Sequence, residues 1–123
     1  MLKEIPGCYK GRYSITESGE VWSHKRSQWL KPKLNLKTGY YQVNLGIGIS
    51  ITETIHRLVM LAHVGPDVDP EKDEVDHIDR DKSNNNLNNL RWVTRSENLK
   101  NRNPRKLVNK NYTGEDVVVL NDA

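Results

Sequence analysis

The chain of 123 residues contains one cysteine, Cys8, and no phenylalanine. A single cysteine excludes an internal disulfide and a zinc site built from cysteines. No apolar run approaches the roughly 20 residues that span a bilayer, and residues 1–6 lack the apolar core of a secretion signal. We therefore expect no membrane partner and a reducing, cytoplasmic setting.

Apolar residues are also scarce, at 35% of the chain. They nevertheless cluster in periodic runs, which indicates a folded protein with a modest core rather than disorder. At this length we expect one domain, or two very small ones that share a core.

The net charge of +3 conceals a strong segregation of charge along the chain. Residues 1–62 hold nine Lys/Arg against four Asp/Glu, and residues 91–112 hold seven against one. Between them, residues 63–90 hold three against eight. Two basic segments around an acidic one fit polyanion binding around a cation site. On charge alone, an ordinary solvated surface is an equally good interpretation.

The first half of the chain predicts a small antiparallel β-sheet. Glycines between the apolar runs permit the positive φ that tight turns require. Residues rich in β-branched and aromatic side chains give the candidate strands, which are residues 13–15, 21–23, 29–34, 40–45 and 49–54.

Two segments predict helices. From residue 53 the apolar side chains follow a helical period, and this helix should end before Gly65. Thr94, followed three residues later by Glu97, fits a capping box, so we expect a second helix over residues 95–102. Beyond residue 112 the tail is acidic, and residues 117–120 could add a short edge strand.

The most informative stretch lies between the two helices. Residues 74–77 and 90–93 predict two strands, and a long polar turn rich in asparagine joins them. Neighbouring side chains on a regular strand point to opposite faces. Asp76 and His77 can therefore meet one ligand only if the first strand ends or bulges there.

Residues of this stretch have the chemistry that phosphodiester hydrolysis needs, namely an activated water and charge neutralisation on the phosphoryl group. Histidine suits the first task because its unperturbed pKa near ~6.5 leaves a neutral fraction at physiological pH. Mg²⁺ suits the second, since it takes one or two protein oxygens and keeps waters. Asp76 offers an anionic oxygen and Asn98 a neutral one, while Asn89 could hold the turn closed through its amide N–H and C=O.

Basic residues near a tryptophan and along the second predicted helix are candidates for DNA contact. Each contact to a phosphate would make binding weaker in high salt. A solvated face is the alternative, and for the tryptophan the two interpretations are equally favoured. The candidates are Lys25, Arg26, Trp29, Lys31, Lys33, Arg91, Arg95, Lys100 and Arg102.

At these residues the sequence resembles the HNH endonucleases, particularly the phage and intron-encoded homing-type nicking enzymes. The likeness covers roughly residues 3–103. It rests on Asp76-His77, Asn85-Asn86-Leu87, Asn89 to Thr94 and Asn98, with Ile55 to Val59 and the upstream runs Gly11 to Ile15, Ser18 to Ser23 and Gly39 to Val43.

The resemblance implies an α+β protein in three parts. Residues 1–52 would be a small antiparallel β module that positions DNA, packed with a helix. Residues 53–103 would be a ββα-metal nuclease domain, and residues 104–123 a basic-then-acidic tail. The family further implies cleavage of double-stranded DNA with Mg²⁺ or Mn²⁺, by nicking or double-strand cutting, to a 5′-phosphate and a 3′-hydroxyl. We expect a monomer or weak dimer, in the cytoplasm of a bacterial host if the gene is phage-encoded.

Roles for four residues follow from the resemblance. His77 would be the general base, Asp76 and Asn98 would hold one divalent cation, and Asn89 would be the structural asparagine of the turn. Asn89 is chosen from the asparagine-rich run because it immediately precedes the second strand. A non-catalytic DNA-binding module that keeps this fold is the alternative, and an RNA-acting nuclease is a third option.

Overall fold

Three antiparallel sheets and two α-helices form the part of the chain that the structure describes, residues 1–101 of a computed structural model. The helices are α1 (Ile55–His63) and α2 (Arg95–Lys100), and two single 3₁₀ turns lie at Gly7–Tyr9 and Leu87–Asn89. The strands are β1 (Lys3–Glu4), β2 (Tyr13–Ile15), β3 (Val21–Ser23), β4 (Gln28–Leu30), β5 (Lys33–Leu34), β6 (Tyr41–Gly46), β7 (Ser50–Thr54), β8 (Glu74–His77) and β9 (Leu90–Val93).

The first half of the chain folds into two sheets rather than one. One sheet has the order β1-β2-β3-β4 and the other β5-β6-β7. The prediction of a single strand over residues 29–34 is therefore wrong, because β4 and β5 belong to different sheets. Pro32 lies between them, and a proline has no N–H to donate to a strand ladder.

Both predicted helices are present. The predicted apolar face of α1 is confirmed, since Ile55, Leu58 and Val59 are buried. Gly65, with φ of 86°, donates its N–H to the carbonyl of Met60 and ends the helix.

The capping box of α2 is also confirmed. The Thr94 side chain accepts from the N–H of Glu97, and the Glu97 carboxylate accepts from the N–H of Thr94. These bonds hold the pKa of Glu97 below its ordinary value, the backbone N–H of Thr94 being the main cause. The end of the predicted helix and the predicted edge strand fall outside the described residues.

One hydrophobic core runs through all three sheets. Helix α1 is central to it and packs against β2, β6, β8 and β9. Burial of each large aliphatic side chain contributes roughly 1.5–3 kcal/mol. Division of the chain at residue 52 stays a prediction, because both parts share this core, whose members include Ile5, Ile15, Val21, Leu45, Leu58, Val59, Val75 and Leu90.

Among residues 1–101, neither helix has the length and apolar character that a membrane crossing would require.

Candidate active site

The turn between β8 and β9 is closed by Asn89, whose side chain is buried. Its Oδ1 accepts from the N–H of Asp79 at 3.1 Å, and its Nδ2 donates to Asp79 Oδ1 and to the carbonyl of Asn84, both at 2.9 Å. Hydrogen bonds from Asn84, the N–H of Asp81 and Asn89 hold the pKa of the exposed Asp79 below its ordinary value. The turn is thereby tied to the end of β8, where the Asp-His pair lies.

Asp76 is anchored between β9 and α2. It is only 4% exposed, and its Oδ2 lies 2.9 Å from Nη2 and 3.0 Å from Nε of Arg91, its cross-strand neighbour. From the C-cap position of α2, Asn101 Nδ2 donates to both carboxylate oxygens at 2.9 and 2.8 Å. Arg91, a candidate for DNA contact, is thus an ion-pair partner of the candidate metal ligand.

The orientation of His77 is set by Asn85. His77 Nε2 lies 2.8 Å from Asn85 Oδ1, and both side chains are buried. Because a carbonyl oxygen only accepts, this bond assigns the ring hydrogen to Nε2. In the neutral imidazole Nδ1 is then the nitrogen that can accept a proton.

Asp76, His77 and Asn98 line a single cavity of about 560 Å³. Strand β8 ends at His77, which lets two neighbours on the strand reach one space, as the sequence required. Basic side chains also line the cavity, and these are Lys37, Arg80 and Lys82.

Asn98 is held by an acidic residue of β8. Its Nδ2 donates to Glu74 Oε1 at 2.8 Å, and within the described part of the chain its Oδ1 accepts no hydrogen bond. The structure therefore brings Asn98 to the same cavity as Asp76 but does not bond the two. Its role as a cation ligand stays a prediction.

Two residues of this site were missed by the sequence reasoning, Asn85 and Asn101. Asn85 stands in the asparagine-rich run, where only one structural asparagine was sought. Asn101, the C-cap residue of α2, lies three residues after Asn98 and therefore on the same side of the helix. The composition of the turn and helical spacing were the signals that could have found them.

Three aromatic rings pack beside the cavity. His56 stacks on Tyr40 with ring centroids 4.6 Å apart, and its centroid lies 4.9 Å from that of His77. Burial lowers the pKa of His56 to about 3, and the electrostatic influence of the neighbouring His77, Arg57 and Lys82 side chains acts in the same direction. His56 is consequently neutral at physiological pH.

Acid should destabilise the protein through His56. Its folded pKa of about 3 lies below the unfolded value near ~6.5, so the unfolded chain binds the proton first as pH falls from 6.5 towards 3. Within that pH window, His56 should lower the free energy of unfolding by up to about 1.4 kcal/mol for each unit by which the pH falls. The variant His56→Phe keeps a ring but cannot titrate. We expect its urea midpoint to fall less steeply than that of wild type as the pH is lowered from 6.5 towards 3. Equal slopes of midpoint against pH would contradict the low pKa of His56.

The candidate DNA-contact residues lie on the surface. Lys31 and Lys33 line a second cavity of about 350 Å³. Trp29 is 52% exposed and packs edge-to-face on Trp22 at 5.0 Å between centroids. Arg102 lies outside the described residues, and the remaining candidates of this group are exposed, namely Lys25, Arg26, Arg95 and Lys100.

The unit β8–turn–β9–α2, with a buried Asp-His pair where its first strand ends, is a ββα-metal nuclease fold. Residues 53–100 match the HNH endonuclease family, and residues 3–46 match the NUMOD4 motif. Residues 53–100 are thus a domain of the HNH endonuclease family. The resemblance to this family and the α+β fold class are both confirmed.

Relatives from two viruses align with most of the chain. The DNA endonuclease I-HmuI of Bacillus phage SP01 is 39% identical over 108 residues, which are 87% of this chain and 60% of that protein. An uncharacterized HNH endonuclease of Acanthamoeba polyphaga mimivirus is 37% identical over 97 residues, 77% of this chain and 28% of its own length.

A solved structure of the HNH homing endonuclease I-HmuI, concerning its DNA binding and cleavage, matches with a TM-score of 0.75 and 37% identity. The match covers 89% of this chain and 62% of that one. The chain thus spans less than two thirds of the length of each of these relatives.

Proposed function

We propose that this protein is a divalent-metal-dependent endonuclease that hydrolyses phosphodiester bonds of double-stranded DNA to a 5′-phosphate and a 3′-hydroxyl. The observation that carries the proposal is the convergence of Asp76, His77 and Asn98 on one cavity. Support comes from the similarity to I-HmuI, which is a DNA endonuclease. As one relative is encoded by a phage, the cytoplasm of a bacterial host is the proposed setting.

His77 is the proposed general base. Asn85 holds the hydrogen on Nε2, so Nδ1 takes the proton from the attacking water. The neighbouring His56 ring is neutral because its pKa is about 3. It packs against His77 without adding a positive charge that would disfavour the protonated base.

The donor set at Asp76 fits Mg²⁺ or Mn²⁺. A buried carboxylate and the amide oxygen of Asn98 are hard oxygen donors, and Mg²⁺ commonly takes only one or two such ligands from protein. No three His, Cys, Asp or Glu side chains come together as a metal site among residues 1–101, so water and a substrate phosphate would have to supply the remaining ligands. Bound there, the cation would neutralise charge on the phosphoryl group and assist the leaving oxygen.

The wider surface would hold the duplex mainly through its phosphates. Lys37, Arg80 and Lys82 line the catalytic cavity, while Lys31 and Lys33 extend the basic surface on the β module. Phosphate contacts position the protein on DNA without reading sequence. We propose that a monomer or weak dimer binds in this way and cuts one strand per active site.

Exchange of both Lys31 and Lys33 for alanine should make DNA binding less sensitive to salt. Each lost phosphate contact reduces the magnitude of the slope of log K against log salt by about 0.9. The slope of the double variant should therefore be smaller in magnitude than that of wild type by about 2. Fluorescence anisotropy of a labelled duplex across a salt series measures this slope. Exchange of Lys3 and Lys10, also exposed but outside the candidate contacts, is the matched control and should keep the wild-type slope.

A plasmid assay tests the proposed function directly. Purified protein should convert supercoiled plasmid to the nicked form with Mg²⁺ or Mn²⁺ and not with EDTA. The competing function, a non-catalytic DNA-binding module, predicts retarded but uncut plasmid in all three conditions. Competition with RNA separates a third outcome, an RNA-acting nuclease.

A further inference from the structure

We propose that Glu74 is a positioning residue that orients the side-chain amide of Asn98 and so presents its carbonyl oxygen to the cation. This inference rests on the proposed function, since it takes Asn98 to be a cation ligand. Glu74 acts through Asn98 and is not itself taken to touch metal or DNA.

The direction of the hydrogen bond carries the inference. A side-chain amide has one donor end and one acceptor end, whereas an ionised carboxylate only accepts. Asn98 Nδ2 lies 2.8 Å from Glu74 Oε1, so a flipped amide would bring two oxygens together at that distance. Glu74 therefore keeps the NH₂ group on its own side and leaves Oδ1 as the free end.

The placement on the elements supports the same conclusion. Glu74 and Asp76 are two apart on β8 and share a face of the strand, and α2 packs on that strand. Asn98, within α2, and Asn101, the C-cap residue that follows it, are three apart and extend from the same side of the helix. Each amide donates to one of these carboxylates, Asn98 to Glu74 and Asn101 to Asp76.

The two amides differ in what their oxygens do. Asn101 Oδ1 accepts from Nε of Arg80 at 3.1 Å, which uses that oxygen within the protein. Within residues 1–101, the Oδ1 of Asn98 accepts no hydrogen bond, and Asn98 lines the same cavity as Asp76. Of the two, Asn98 is the amide whose oxygen is available to a cation.

Mn²⁺ binding in the absence of DNA tests this role without relying on catalysis. Free Mn²⁺ is followed by electron paramagnetic resonance as the metal is titrated into the full chain. Glu74→Gln removes the acceptor-only partner at nearly constant shape and should weaken Mn²⁺ binding about tenfold, as the loss of an outer partner of a ligand does. The matched control, Asp73→Asn, removes one charge from the exposed neighbouring residue and should change the affinity less than about twofold.

A double-mutant cycle separates positioning from simple charge. If Glu74 acts through Asn98, then Glu74→Gln should weaken Mn²⁺ binding no further in an Asn98→Ala protein. Additive effects, or unchanged affinity in the single variant, would overturn the role of Glu74 and leave the proposed nuclease activity intact. A wild-type chain that binds no Mn²⁺ would overturn the role of Glu74 as well as the metal site. Thermal unfolding checks each variant, and Glu74→Thr, which suits a strand, takes the place of a glutamine variant that fails to fold.

Discussion

A His77→Ala protein is expected to bind duplex DNA and to leave supercoiled plasmid almost uncut. The exchange removes the ring whose Nδ1 is proposed to take the proton of the attacking water, and loss of a general base costs about 10²–10⁴ in rate. The proposed phosphate-contact residues are untouched, so the affinity should stay close to wild type. Initial nicking rates under saturating Mg²⁺, together with anisotropy on the same duplex, measure both quantities.

The matched control for this experiment is His24→Ala. His24 lies on the β module, where its ring nitrogens bond Ser14 Oγ at 2.7 Å and the carbonyl of Gly11 at 3.0 Å. It does not line the cavity that contains Asp76 and His77. This variant should nick at the wild-type rate. A His77→Ala protein that nicks as fast as wild type would show that another group activates the water.

Asp76→Asn is expected to produce the second large loss, at least about a hundredfold in nicking at low millimolar Mg²⁺. The exchange keeps the shape of the side chain but removes the anionic oxygen that would hold the cation. Higher metal concentrations should restore part of the activity, because binding rather than proton transfer is impaired. A titration of nicking rate against Mg²⁺ and Mn²⁺ measures the shift in the half-saturating concentration.

Loss of folding does not account for the expected effect of Asp76→Asn. The ion-pair partner Arg91 has a side chain that is 52% exposed, so the broken pair should cost about 1 kcal/mol. Loss of one of the two hydrogen bonds from Asn101 should cost about 1 kcal/mol more, and both costs are small beside the expected loss of activity. Asp73→Asn again serves as the charge-matched control. Metal titrations of Asp76→Asn that superimpose on wild type would mean that the cation is held elsewhere.

The elements of this fold with local signals could be predicted from sequence. Helix α1 followed from the apolar period that ends at Gly65, and α2 followed from the reciprocal side-chain signal of Thr94 and Glu97. The break at Pro32 was also visible, yet an apolar pattern on both sides concealed it. Which sheet each short strand joins depends on packing between distant segments, which no local pattern records.

The site was predictable in its residue types but not in its pairings. Asp76 and His77 were recognisable by their chemistry and their place in a strand. The bonds from Asn85 to His77 and from Asn101 to Asp76 link positions 8 and 25 residues apart. Each bond depends on how the turn and α2 pack against β8. The local sequence does not distinguish the asparagines of the turn from one another, so it does not show which of them bonds His77.

Hydrogen bonds join the β module to the proposed nuclease unit. The N–H of Leu87, in the turn between β8 and β9, donates to the carbonyl of Glu17 at 2.7 Å, and Lys82 Nζ donates to the carbonyl of Thr38 at 2.7 Å. Tyr9 donates to Glu53 at 2.6 Å, just before α1. With these bonds and a shared core, the proposed DNA-contact surface should keep a fixed orientation relative to the proposed active site. For the proposed nuclease, the number of base pairs between the held segment and the severed bond should be constant, as if measured with a ruler.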